Sequence, residues 1–96
     1  MNKRFDISEF VIAETEQSAL AGLVKREKER RKELDLSQKE LAVRSGVSYA
    51  SIRRFESAGD ISLSSLLKIG DAIDCLSDFN ELFKNKKITN LKDYDV

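Results

Sequence analysis

Four serines and two adjacent arginines are the residues of this chain whose types and spacing carry chemistry. Ser37, Ser48, Ser62 and Ser77 each precede a segment with helical apolar spacing. A serine there accepts a hydrogen bond from the backbone of the first turn. The amides left over at such a helix start are good partners for phosphate oxygens. Arg53 and Arg54 stand shortly after Ser48. On a helix they project about 100° apart, so at most one faces a groove squarely while the other leans to a phosphate. This is binding chemistry, not bond-making chemistry. The chain holds no histidine, which removes a Ser-His-Asp triad, a Cys-His pair and an imidazole metal site. Its single cysteine, Cys75, has no intrachain disulfide partner, forms no thiolate cluster and is expected in the core. Four scattered glycines form no phosphate-cradling loop. No catalytic residue, no metal site and no cofactor is expected, and the chain reads as a non-enzyme.

The elements that must position these residues are helices. Residues 16–34 are rich in Glu, Lys, Arg, Leu and Ala and predict a long first helix. Its apolar positions Leu20, Leu23, Val24 and Leu34 share a face only if Glu27 and Arg31 fill the gap between them. Ser37 and Glu40 have the spacing of a capping box, in which each side chain accepts from the other's backbone amide. A short helix follows, with Leu41 and Ala42 inward, and Ser45-Gly46 ends it. Ser48 opens a third helix, about 49–56, with Ile52 and Phe55 inward. Ser62 opens a fourth with Leu63, Leu66, Leu67, Gly70 and Ile73 on one face. Ser77 is expected to cap a fifth, with Phe79, Leu82 and Phe83 apolar.

Ninety-six residues with equal numbers of acidic and basic side chains, 17 each, make one domain with one small core. The absence of a long apolar run argues against a membrane span or a leader and points to the cytoplasm, with nucleoid association. The zero net charge hides a segregated distribution. Residues 37–57 carry +2 and residues 58–83 carry −4. A basic middle surface is expected beside an acidic one, although residues 25–33 read equally well as a solvated helix face.

Two short helices joined by a glycine-containing turn are the geometry of a helix-turn-helix. Ala42 lets the helices approach, Gly46 makes the turn, and Val47 and Ile52 plug the space between them. The start of the second helix then reaches base edges in the major groove. Residues 36–73, LSQKELAVRSGVSYASIRRFESAGDISLSSLLKIGDAI, resemble the Cro/CI-type helix-turn-helix, the xenobiotic-response-element type. The resemblance implies an all-α, five-helix DNA-binding domain over residues 16–84, with an N-terminal arm at 1–15 and a C-terminal tail at 85–96. It implies a sequence-specific repressor that binds a double-stranded DNA operator as a homodimer. It places the DNA contacts on Gln38, Ser48, Tyr49, Ala50, Ser51, Arg53 and Arg54. It places a structural ion pair on Arg31 and Glu56. The chain departs from the family at Asp35, where a glycine is usual, at Glu27 and Arg30, where apolar residues are usual, and at Tyr49, where glutamine is frequent.

Regulation admits two designs: a plain repressor governed by its own concentration, or an autoregulating antitoxin whose bound toxin alters operator affinity. The construction resembles small antitoxins paired with HipA-type kinase toxins. The alternative function is a protein-interaction module on the same fold that does not bind DNA. Phe5, Ile7, Phe10, Val11, Ile12, Ile88 and Leu91 are surplus to the domain core and are expected to cover a second subunit or a partner protein. Residues 87–89 are expected to pair with their copy as a short ribbon.

Overall fold

A computed structural model describes residues 13–86. The expectations for Phe5, Ile7, Phe10, Val11, Ile12, Ile88, Leu91 and the ribbon at 87–89 lie outside those residues. The described part is all-helical: α1 (Glu16–Glu33), α2 (Gln38–Ser45), α3 (Tyr49–Ala58), α4 (Leu63–Ala72) and a final 3₁₀ helix (Leu76–Glu81).

Each of the four α-helices starts on a side chain that satisfies an orphan amide. Thr15 Oγ1 accepts from the Ser18 amide at 3.0 Å while Ser18 Oγ accepts from the Thr15 amide at 3.0 Å. Ser37 and Glu40 form the same reciprocal box at 3.0 and 2.8 Å. Ser48 accepts from the Ser51 amide and Ser62 from the Ser65 amide. Every cap of this kind is worth about 0.5–2 kcal/mol relative to alanine.

The helix ends are set by left-handed residues. Gly46 (φ 79°) turns the chain between α2 and α3, which drops Val47 into the core. At the end of α1 the left-handed residue is Asp35, at φ 58°. Its amide donates to the Lys32 carbonyl at 2.9 Å, and the Leu36 amide donates to the Arg31 carbonyl at 3.2 Å. That pair of bonds is a Schellman motif, normally closed by glycine. Aspartate is among the few other residues that tolerate this region. Asp74, at φ 61°, closes α4 in the same way, with the Cys75 amide donating to the Gly70 carbonyl at 2.8 Å.

Leu41, Val47, Ile52, Ile69 and Ile73 form the core between α2, α3 and α4, and Phe55 of α3 is fully buried as well. Helix α1 packs along α3, and the 3₁₀ helix packs on α4. The buried residues of α1 are Glu27 and Arg31, so the polar gap in its apolar face is turned inward. Along α4 the inward residues are Leu66, Ile69, Gly70 and Ile73, whereas Leu63 is exposed, contrary to the expected face.

The fifth helix also differs from expectation. It begins one residue before Ser77, no side chain caps it, and it runs with 3₁₀ bonds for six residues. The Schellman turn at Asp74 has already set the entry of the chain, leaving Cys75 at the cap position. Ser, Asp and Asn in LSDFNE compete locally with α-helical bonding. Phe79 is half-buried against α4, but Phe83 is 99 % exposed and left-handed at φ 61°. Among the described residues no helix is long and apolar enough to cross a membrane.

Candidate nucleic-acid interface

Helices α2 and α3, locked by the Gly46 turn and by Val47 and Ile52 beneath it, present the N-terminus of α3 and the start of α2 on one face. Gln38 is the first residue of α2 and half-buried. Its Nε2 donates to Glu56 Oε1 at 2.9 Å, so the amide is held from behind by α3. Arg53 and Arg54 project from α3 into solvent, and among the described residues neither has an acidic side chain within ion-pair distance. Gln38, Ala50, Arg53 and Arg54 line a single open hollow, together with Lys28, Arg31, Glu56 and Ser57.

The other expected contacts lie beside that hollow. Ser48 is the exposed cap of α3, and its hydroxyl is 2.8 Å from that of Ser51. Both hydroxyls are thus tied into the cap. Tyr49 is 37 % exposed. Its ring has Arg53 Cζ 5.5 Å and Lys39 Nζ 5.4 Å from its centroid. Within about 6 Å a cation is attracted to a ring face, so Tyr49 orients two positive side chains at the helix start. Lys28 and Lys39 add cations that spacing alone does not single out. The one signal for Lys28 is its position three residues before Arg31, on the same face of α1.

Behind the face lies a charged cluster. Arg31 Nε donates to Glu56 Oε2 at 2.9 Å, and Arg31 Nη2 donates to Glu56 Oε1 at 2.7 Å. The third guanidinium nitrogen donates to the Leu36 carbonyl at 2.8 Å. The hydrogen bond to Glu56 raises the Arg31 pKa, although burial works against it. Burial alone would raise Glu56, but bonds from Arg31, Glu27 and Gln38 outweigh it and hold the carboxyl at about 2. Glu27 goes the other way: burial first, then the hydrogen bond and charge of Glu56, raise it to about 8. Fixed in this way, Glu56 anchors the Gln38 amide without drawing charge from the outward arginines.

Among the described residues no cluster of three or more His, Cys, Asp or Glu side chains could hold a metal. Cys75 is half-buried, donates its thiol to the Ile73 carbonyl at 3.4 Å and packs against the core. Burial is the leading cause of its raised thiol pKa, which argues against a reactive thiolate.

A family model described as helix-turn-helix matches residues 28–79, more than half of the chain. The chain belongs to the Cro/CI-type helix-turn-helix family. The matched segment runs from the end of α1 to Phe79 and contains the whole candidate face, Lys28 included. Glu27 is the residue immediately before it. Helix-turn-helix domains of this family are DNA-binding modules of transcription regulators and act on double-stranded DNA. Neither the curated proteins nor the solved structures returned a match.

Proposed function

We propose that this helix-turn-helix protein is a sequence-specific repressor that binds its operator as a dimer. Side chains from Ser48 to Arg53 read bases in the major groove, and Gln38, Lys28 and the second arginine hold phosphates. The observation that carries this reading is the hollow in which Gln38, Ala50, Arg53 and Arg54 converge with no acidic side chain pairing either arginine. Free guanidinium groups on a rigid helix suit both bidentate reading of guanine and phosphate neutralisation. Dimers of this motif place their two recognition helices about one DNA turn, roughly 34 Å, apart. The exposed apolar side chains Leu63, Leu76, Leu82 and Phe83 support a subunit contact at the α4 end, since none of them lines the hollow.

For regulation we carry the antitoxin design, on the strength of the resemblance in construction to antitoxins of kinase toxins. A toxin would then bind an apolar surface away from the DNA face.

Selection of bound fragments from random duplex DNA, followed by gel shifts across a salt series, tests the reading. The expected result is a two-fold repeated site whose affinity falls steeply with salt. Affinity indifferent to sequence would remove the operator; no binding at low salt would remove DNA altogether. Sedimentation of the free protein tests the dimer.

A further inference from the structure

Glu27 is 6 % exposed, and neither of its buried oxygens receives a hydrogen bond from any donor around it. The guanidinium one turn further on cannot serve, because all three Arg31 nitrogens are committed to Glu56 and Leu36. On the same helix, Arg26 and Arg30 border the groove that Glu27 faces; Arg30 Nη2 is paired with Glu33 at 2.7 Å, while Arg30 Nε is buried without a partner and makes no bond to Glu27. Lys28 and Arg31 act on Glu27 only through their fields. Helix α4 contributes Leu63, Leu66, Ile69 and Gly70 to that groove and no titratable group, while Cys75, Asp78 and Phe79 complete it from the 3₁₀ side. From α3 comes Glu56, and from α2 the neutral Gln38 behind it.

An ionised carboxylate in such a place has lost its hydration without gaining a donor, which a folded chain avoids by neutralising the group. A proton on Glu27 removes the unhydrated charge and gives one of its two oxygens a partner. Glu27 then donates to Glu56, which already accepts from Arg31 and Gln38. Two carboxyl groups in contact share one proton in this way because both cannot be charged together.

We propose that Glu27 is a positioning residue for DNA recognition. As a neutral acid it holds the Glu56 carboxylate where Gln38 and Arg31 meet it. Its ionisation sets two negative groups against each other and shifts Gln38 from the DNA-facing start of α2. This inference rests on the reading of Gln38 as a DNA contact. The affinity of the protein for its operator is then linked to the proton on Glu27, and operator binding weakens as the solution becomes alkaline.

The test uses the full chain in two measurements, with wild type, Glu27→Gln and Glu27→Met. The first is thermal melting from pH 5 to 9 without DNA. Wild type should lose stability as the pH rises toward about 8, and both variants should lack that decline. The second is affinity for the selected duplex over the alkaline half of the range. Wild type should weaken by about tenfold, within the range of ordinary site-to-site coupling. Glu27→Gln should bind as wild type does at pH 6 and hold that affinity throughout. Glu27→Met, which cannot donate, should be flat but weaker. A wild-type melting profile that tracks Glu27→Gln at every pH overturns the protonated Glu27. A Glu27-dependent decline in melting with pH-independent DNA binding overturns the positioning role. If the decline is present but no duplex is bound at any pH, the DNA reading fails, and the positioning role falls with it. Should Glu27→Gln not fold, the network itself is wrong, since the amide is the isostere of the neutral acid; Glu27→Met then shows whether any uncharged residue is tolerated.

Discussion

The Leu20 side chain occupies the space that a side chain on Gly59 would need: its Cδ2 lies 2.6 Å from the position of a Cβ there. This contact sets the N-terminal half of α1 down on the end of α3. Gly59 is also left-handed, at φ 77°. Gly59→Ala therefore suffers both a clash and backbone strain, and should cost about 1–3 kcal/mol. Gly46 is left-handed too but has nothing within 4 Å of its missing Cβ. Gly46→Ala should cost less, about 1 kcal/mol, from conformation alone. Urea unfolding of the two variants would show equal losses if the Leu20 contact contributed nothing.

Removing one partner of the Arg31–Glu56 pair strands the other. The Arg31 and Glu56 side chains are 9 and 2 % exposed. Glu56→Ala should destabilise by about 3–5 kcal/mol, as expected for an uncompensated buried charge. Replacing both by apolar residues should recover much of that stability while weakening DNA binding, because Gln38 loses its anchor. A melting curve for Glu56→Ala that overlays wild type would dispose of this account.

The same cluster gives stability a defined dependence on pH. Glu56, whose pKa is lowered from 4.5 to about 2, contributes fully above 4.5, and that contribution fades as the pH falls toward 2. Glu27, raised from 4.5 to about 8, contributes fully below 4.5 and loses its contribution as the pH climbs through 8. The cluster therefore stabilises most near pH 4.5. Melting temperatures of Glu27→Gln should keep the acid limb and lose the alkaline one.

The two outward arginines should separate by phenotype. The base-reading one should cost about 1–3 kcal/mol on substitution by alanine and relax one operator position. The phosphate-bound one, like Lys28→Ala, should weaken all sequences alike and lower the salt slope by about one. Gel shifts across operator variants and salt would sort Arg53, Arg54 and Lys28 in a single series. Wild-type affinity in both arginine variants would show that α3 does not lie in the groove.

Asp35 holds a glycine's conformation at the end of α1. Asp35→Gly should stabilise by about 0.5–1 kcal/mol, and Asp35→Val, β-branched, should destabilise by more than that. Chemical denaturation would reveal the opposite order if some contact of the aspartate outweighed its strain.

The starts of α2, α3 and α4 are legible because capping is chemistry within four residues: Ser37, Ser48 or Ser62, then its amide partner three places on; the Thr15 cap of α1 is seen only in the structure. Ser77 misled for the complementary reason. Its register was decided upstream, where Asp74 closed the α4 turn and fixed the entry into a 3₁₀ segment. The polar gap on α1 was visible as Glu27 and Arg31 interrupting an apolar stripe. That Glu27 faces Glu56, 29 positions away, depends on how α1 crosses α3, and no local pattern carries that angle. Helical period alone puts Leu63 in the core, yet it stands 64 % exposed in the first turn of α4, at the edge of the groove between α4 and α1. Lys28 is not legible locally because most of its neighbours in the hollow come from α2 and α3.

Tyr49, set between Lys39 and Arg53, makes the recognition helix visible by light. The chain contains no tryptophan, so tyrosine emission is not drained by energy transfer to an indole. Of the two tyrosines, Tyr49 sits at the start of α3 with cations on its ring, and Tyr94 belongs to the tail. A Tyr94→Phe protein would carry one fluorophore at the point where the helix meets a duplex. Docking that draws Arg53 or Lys39 toward phosphate would change the surroundings of that ring, and with them its emission and its lifetime. Binding could then be timed by stopped-flow fluorescence with no dye attached.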